Sequence, residues 1–457
     1  MRITSQMMSN TYKRDVLDAY SSMYTSMRHA YNLRAFDKPS DDPLAASQTF
    51  NTHWQISLNS DYQSNITNVT GFFNTADSIT QNIDKALSDT DSKQVLGAIS
   101  GTMNSSERES IATQILKDRD AIVSKLNAKY GDSYLFSGCD SLQTPFKMKN
   151  DQLFYHGINV DSNAASVTLN DQSGRSLEIG FSDSIGDILN GYKVSIDASG
   201  PAGSAFSTAV SGKTITITAD KTKDAAALQT YLQGSFSNDL KNSGDAHLAG
   251  ITSTAGVTVS GLDNNIQLSQ KFSSSSAVAP KLGNLANESA YVDIGLGIST
   301  NSSGNIDSQS AFDRSLPGVS FLGYGTSDVT DEDGNVAKDV PNNLISLMTK
   351  MAGLLKDGSL SNTELIKKIS PYRQQYSESL DSFESHQTEL GQNLGFLKDT
   401  GSYLSNLSLN LYEKDNSVEF VDPTQAIPDF YNQQNCYLAC LKVGGQVLEG
   451  SLMDYLR

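Results

Sequence analysis

The sequence predicts an α+β chain. N- and C-terminal helices pair in a long coiled-coil or helical-bundle rod, and a β-rich central region carries a small α/β insert. Three observations predict it. Glycine is segregated, with 4 of the 34 in residues 1–137, 22 in 138–341 and 8 in 342–457. Gly in a helix interior costs about 1 kcal/mol relative to Ala, so the ends can be helical where the middle mostly cannot. At both ends apolar residues recur at alternating spacings of three and four, the period that keeps one helix face against a partner. In the middle they alternate one by one, as on a strand with one buried face.

Val16, Tyr20, Met23, Met27 and Ala30 form the first seam. Asp37-Lys38-Pro39-Ser40-Asp41-Asp42-Pro43 ends it, because each Pro drives the residue before it out of helical geometry. Asp42 then reads as N-cap, and Pro43 as first helical residue, of a second helix. Its seam runs through Tyr62, Ile66, Val69, Phe73, Ala76, Ile83 and Leu87, with Thr80 as a polar interruption. Ser106 and Glu109 are spaced as a capping box for a third helix, marked by Ile111, Ile115, Ile122 and Leu126.

The C-terminal seam runs Tyr376, Leu380, Phe383, Gln387, Leu390, Leu394, Leu397, Gly401, Leu404, Ser408, Leu411. A break over 416–428, with Pro423 and Pro428, separates it from a last seam through Ile427, Tyr431, Gln434, Leu438, Leu441, Gly445, Leu448, Leu452 and Tyr455. Ordinary amphipathic helices in a globular bundle show the same period. The length of these seams, at both ends of a middle of different composition, favours a bundle built from both termini. The expected organisation pairs 1–36 with 424–457 as terminal coiled coil and 44–137 with 342–415 as helical rod. Residues 138–341 form a β-rich surface region, with 182–272 as its inserted α/β lobe.

Within the middle, Gln152–Ile158, Ser176–Phe181, Lys193–Asp197, Thr214–Thr218, Val257–Val259 and Ile266–Leu268 read as strands, and Asp224–Leu232 as a helix. Ser273–Ser276 reads as a flexible connector.

The formal charge of −17, of which −10 falls on 138–341, disfavours nucleic-acid and anionic-membrane partners. No apolar run approaches the ~18 residues of a membrane span. The opening residues lack an apolar core and a small-residue cleavage site, so a cleaved signal peptide is not expected. Three cysteines are too few for a disulfide framework.

The chemical motifs are incomplete. Ser211-Gly212-Lys213-Thr214 has Ser207 where a phosphate-binding loop needs Gly, so it reads as a turn. Asp331-Glu332-Asp333-Gly334 lacks the first and last ligands of a calcium loop and reads as a hairpin turn. Cys436 and Cys440 share a helix face without completing a metal set, and His29, His53, His156, His247 and His386 form no HxxxH or HExxH pair. No catalytic, cofactor or metal residue is nominated, and an enzyme is not expected.

Four stretches in register carry a resemblance. They are Met1-Arg2-Ile3-Thr4-Ser5-Gln6-Met7-Met8, Pro39-Ser40-Asp41-Asp42-Pro43-Leu44-Ala45-Ala46-Ser47, Tyr134-Leu135-Phe136-Ser137-Gly138 with Pro145-Phe146, and Val421-Asp422-Pro423 followed by Ser451-Leu452-Met453-Asp454-Tyr455-Leu456. Together they resemble the bacterial flagellin superfamily and, within it, the hook–filament junction family, over roughly 1–146 and 342–457. The shared helical core leaves flagellin, the filament subunit, as the alternative, and a surface adhesin or enzyme-bearing flagellin-like protein is a more distant one.

The resemblance implies a structural axial subunit of the flagellum, joining hook to filament. It implies extracellular localisation after export through the flagellar apparatus and self-association in a ring. It also implies contacts with the first hook-associated protein and flagellin, and a cytosolic export chaperone on the C-terminal helix. Under it, Val16, Tyr20, Met23, Met27, Ile427, Tyr431, Leu438, Leu441, Leu448 and Leu452 become the assembly interface. Tyr62, Ile66, Val69, Phe73, Phe383, Leu390, Leu394, Leu397, Leu404 and Leu411 become the rod core.

Overall fold

The computed structural model describes residues 5–100, 103–251, 253–261, 267–268, 271–274, 276–301 and 304–453. Ile266 of the last expected strand and Tyr455 of the last seam lie outside them, as do the side chains of Leu448 and Leu452. The fold is α+β, with long terminal helices and a β-rich centre. Its longer helices are α1 (Ser5–Asn32), α2 (Pro43–Asp89), α3 (Ser105–Leu126), α4 (Leu344–Lys356), α5 (Asn362–Glu419) and α6 (Pro423–Met453). Two compact units divide the chain: residues 1–68 with 293–298 and 397–457, and residues 69–292 with 299–396.

In the first unit α1 packs on α6. Asp42 caps α2 as the sequence predicts, its Oδ1 accepting from the Leu44 and Ala45 amides at 3.1 and 3.0 Å. Between α5 and α6 the expected break over 416–428 shrinks to 420–422. Asp422 takes the Thr424 amide at 2.8 Å, and Pro423 sits first in the helix, where no N–H is needed. Pro428 lies inside α6 and removes one ladder bond without ending the helix.

In the second unit Val69, Phe73, Ala76, Ile83 and Leu87 of α2 are buried, and so are Tyr376, Phe383 and Leu390 of α5. Thr80 is buried too, its hydroxyl donating to the Asp77 carbonyl at 2.9 Å, so the polar interruption is satisfied within its own helix. α2 widens into a π-helical turn at Thr90–Val95, and the buried Tyr376 hydroxyl donates to the Leu87 carbonyl at 2.9 Å. Burial pushes the Tyr376 phenol well above its usual range. Arg373 clamps Asp91 through Nε and Nη2 at 2.8 and 3.2 Å, a two-bond pairing that fixes both partners in orientation.

α3 packs on α4, and its start corrects the sequence reading. The capping box is Asn104 with Glu107, each side chain accepting the other's amide at 2.9 Å, rather than Ser106 with Glu109. Asn caps as well as Ser does, and Asn104 with Glu107 has the same spacing two residues earlier.

The central region holds an eight-stranded sheet. Its strands are β1 (Ala165–Asn170), β2 (Ser176–Phe181), β3 (Lys193–Gly200), β4 (Ser207–Ser211), β5 (Thr214–Asp220), β6 (Thr258–Ser260), β7 (Phe272–Ser273) and β8 (Ala279–Pro280). The order is β6-β2-β1-β7-β3-β5-β4, with β8 also on β1. Among the described residues only β3 and β5 pair in parallel, with Ile196 opposite Ile217; the other pairings in the sheet are antiparallel.

Alternating residues turn Ile179, Ile196, Ile215 and Ile217 inward against Leu228 and Leu232 of the helix Ala225–Gln233. That helix is capped by Asp224, which accepts from the Ala227 amide at 2.8 Å. Ser273, expected in a flexible connector, is strand instead: Phe272 is wholly buried and anchors β7 between β1 and β3.

Candidate assembly surface

α1 closes at Asn32, and Leu33 takes a left-handed turn at φ 56°, uncommon for a residue with a Cβ. That turn directs Leu33–Ala35 along 419–421. Ala35 donates to the Glu419 carbonyl at 2.8 Å, Val421 donates to the Leu33 carbonyl at 3.0 Å, and Arg34 bridges Phe420. Two strand-like hydrogen bonds thus hold together the exit of α1 and the entry to α6.

Charged side chains reinforce this crossing. Arg28 pairs with Asp37, and Arg34 Nη2 meets Glu419 Oε1 at 3.0 Å. His53 Nε2 lies 3.0 Å from Asp415 Oδ2 and 3.2 Å from Glu419 Oε2. Asp415 and Glu419 sit one turn apart on α5, both buried, while His53 on α2 is more exposed.

Along α1 and α6 the packing is aromatic. The Tyr20 and Tyr437 rings lie 5.7 Å apart, and the Tyr12 ring occupies the place a side chain at Gly444 would need. Of the interface residues expected from the sequence, Val16 and Met23 are half-buried. Tyr20, Met27, Ile427, Tyr431, Leu438 and Leu441 are exposed by 40 to 58%. Leu17, Tyr24 and Tyr31 of α1, and Phe50 and Trp54 of α2, are also exposed. The seams did not nominate these five: Leu17, Tyr24 and Tyr31 repeat every seven residues one place along from Val16, Met23 and Ala30, and Phe50 and Trp54 precede the seam that starts at Tyr62.

The residues expected as rod core divide between the units. In the first, Ile66, Leu397, Leu404 and Leu411 are buried, with the Tyr62 ring against Gly295. There Asn59 and Gln63 both donate to the Leu404 carbonyl, at 2.9 and 3.0 Å, a polar layer the apolar periodicity gives no sign of. In the second, Val69, Phe73, Phe383 and Leu390 are buried and Leu394 half-buried.

A cavity of about 770 Å³ in the second unit is lined by Glu288, Asp313, Ser315, Tyr324, His386 and Glu389 among others. Cys139 donates its amide to Glu288 Oε2 at 3.3 Å. Burial first, and then the Glu288 charge, push the thiol's pKa up, away from the electropositive setting that makes a cysteine reactive. Ser211–Thr214 forms the turn between β4 and β5, with Gly212 at φ 56°. Asp331–Gly334 forms a hairpin turn in which Asp331 Oδ1 accepts the Asp333 and Asn335 amides at 3.1 and 2.7 Å.

No protein-family model matches the chain. It is similar in sequence to flagellar hook-associated protein 3 of Salmonella typhimurium, at 27% identity over 181 residues, 39% of this chain and 55% of that one. It is likewise 27% identical over 147 residues to flagellar hook-associated protein 3 of Escherichia coli, 32% of this chain and 46% of that one. The chain thus spans about half the length of the curated relatives it matches. Solved FlgL from Xanthomonas campestris aligns with 80% of this chain and 99% of its own, at 12% identity and a TM-score of 0.37. The flagellar junction protein FlgL from Legionella pneumophila aligns with 82% of this chain and 100% of its own, at 12% identity and a TM-score of 0.36. No described helix is long and apolar enough to cross a membrane.

Proposed function

We propose that this chain is a structural axial subunit of the bacterial flagellum that joins hook to filament. On this reading α1 and α6 form a terminal coiled coil, and α2 with α5 a helical rod. The sheet-bearing centre faces solvent. Copies associate in a ring between the first hook-associated protein and flagellin, and a cytosolic export chaperone covers α6 before assembly.

The observation that carries the reading is the apolar exposure on α1 and α6, in a chain similar in sequence to hook-associated protein 3. Surfaces such as Tyr20, Met27, Tyr431 and Leu438 are costly to leave in water and are suited to cover by neighbouring subunits.

Negative-stain microscopy of the full-length chain with hook and filament fragments tests it. Binding to fragment ends without extension is the expected result. Long filaments grown from this chain alone would replace the junction reading with flagellin, and indifference to both fragments would remove the flagellar reading altogether.

A further inference from the structure

We propose that His53, Asp415 and Glu419 form a binding site for a divalent transition-metal ion of the zinc class, tying α2 to the C-terminal end of α5. Ligand atoms about 2.0–2.1 Å from one ion, at tetrahedral or octahedral angles, lie roughly 2.9–3.4 Å from each other. His53 Nε2 is 3.0 Å from Asp415 Oδ2 and 3.2 Å from Glu419 Oε2, so both separations fall in that window. All three donor atoms lie within 4.8 Å of one another.

A single Nε2–H shared between two carboxylates gives each only a weaker three-centre contact, whereas one cation can bind all three groups. The second carboxylate oxygen of Asp415, Oδ1, is buried and takes no hydrogen bond from the described residues, and the residue is only 8% exposed. Leaving such an oxygen unsatisfied is expensive, and an ion held by both Oδ1 and Oδ2 of Asp415 would satisfy it. The remaining oxygen of Glu419 is already held: Oε1 takes Arg34 Nη2 at 3.0 Å. That contact turns Oε2 toward His53, as outer-shell partners orient metal ligands. Imidazole with two carboxylates suits zinc-like ions better than calcium or magnesium, which favour oxygen ligands alone.

The site does not depend on the flagellar reading and can be tested apart from it. The full-length chain carrying Cys436→Ser and Cys440→Ser, which removes the thiol pair on α6 as a competing site, is titrated with zinc chloride. Native mass spectrometry and calorimetry follow the binding. One zinc per chain is expected, with binding at least about tenfold weaker in His53→Gln and in Asp415→Asn. Arg34→Met should weaken binding less than either. Circular dichroism checks that the variants keep the parent helix content, which the exposure of His53 favours. Failure to bind zinc at large molar excess overturns the proposal, leaving the triad a plain ion-pair cluster. Equal binding by the His53→Gln variant, or calcium chloride binding as well as zinc, overturns it too.

Discussion

α1 and α4 are both helices with apolar periodicity, and they put it to opposite uses. α4 is 13 residues long and buries Leu344, Ile345, Leu347, Met348, Met351, Ala352 and Leu355, so its apolar face is consumed within the chain's own core. α1 is 28 residues long, yet none of its described side chains is buried, and Leu17, Tyr20 and Tyr31 are exposed by 66, 49 and 88%. Each such side chain is worth about 1.5–3 kcal/mol when fully covered. One helix has therefore completed its packing. The other leaves its apolar side chains exposed, as the assembling subunit proposed above would require.

The contrast breaks most visibly under substitution. Leu347→Ala empties a fully buried position on α4 and should cost about 2–5 kcal/mol in urea denaturation of the monomer. Leu438→Asp, at a position 55% exposed on α6, should change monomer stability by no more than about 0.5 kcal/mol. It should nevertheless abolish binding to hook or filament ends, because assembly would bury an unpaired charge. Equal losses of monomer stability in the two variants would end the comparison, since α6 would then already be part of a finished core.

Amide exchange sharpens the same contrast without mutation. Exchange tracks local opening, and elements with few buried contacts open most readily. α1 and α6 should exchange well before β3, β5 and α4 in the dilute monomer, and slow on addition of filament fragments. Protection of α1 matching that of β3 in the monomer would show that the pair α1–α6 is stable by itself.

The parts of the fold legible in the sequence are those fixed by local periodicity and local chemistry. Phe383, Leu390, Leu397, Leu404 and Leu411 recur every seven residues and are all buried. Asp42–Pro43 announced a helix start through a cap and a ring that needs no N–H. The alternation at Ser176–Phe181 and Thr214–Thr218 marked strands where strands stand.

What escaped was decided over distance or by near-equivalent choices. Ser273 looked like a linker residue until Phe272 found its place between β1 and β3. Pro428 read as a stop, but a helix begun at Pro423 tolerates one lost bond. Asp415 and Glu419 do sit four residues apart, a spacing that puts both on one face. Their histidine lies 362 residues from Asp415, and no local pattern could have supplied it.

The effect confined to the narrowest conditions belongs to the turn joining β1 to β2 of the eight-stranded sheet. Asp171 has a fully covered side chain that accepts Arg175 Nε at 2.6 Å and the Ser173 and Arg175 amides at 2.9 and 2.8 Å. Burial pushes its pKa up, but the hydrogen bonds from Arg175 and Ser173 outweigh it and hold the group at about 2. An unfolded Asp titrates near 3.9, so the folded value is depressed, and the sign follows. This carboxylate's contribution is fully present above about pH 4 and is lost as pH falls toward 2. At neutral pH it gives no slope, which confines the signal to a narrow window. Denaturation midpoints of the wild type should therefore fall between pH 4 and 2 more steeply than those of Asp171→Asn, whose amide does not titrate. Parallel curves for the two proteins would mean that the turn, and the hydrogen bonds that hold Asp171 in it, are open in solution.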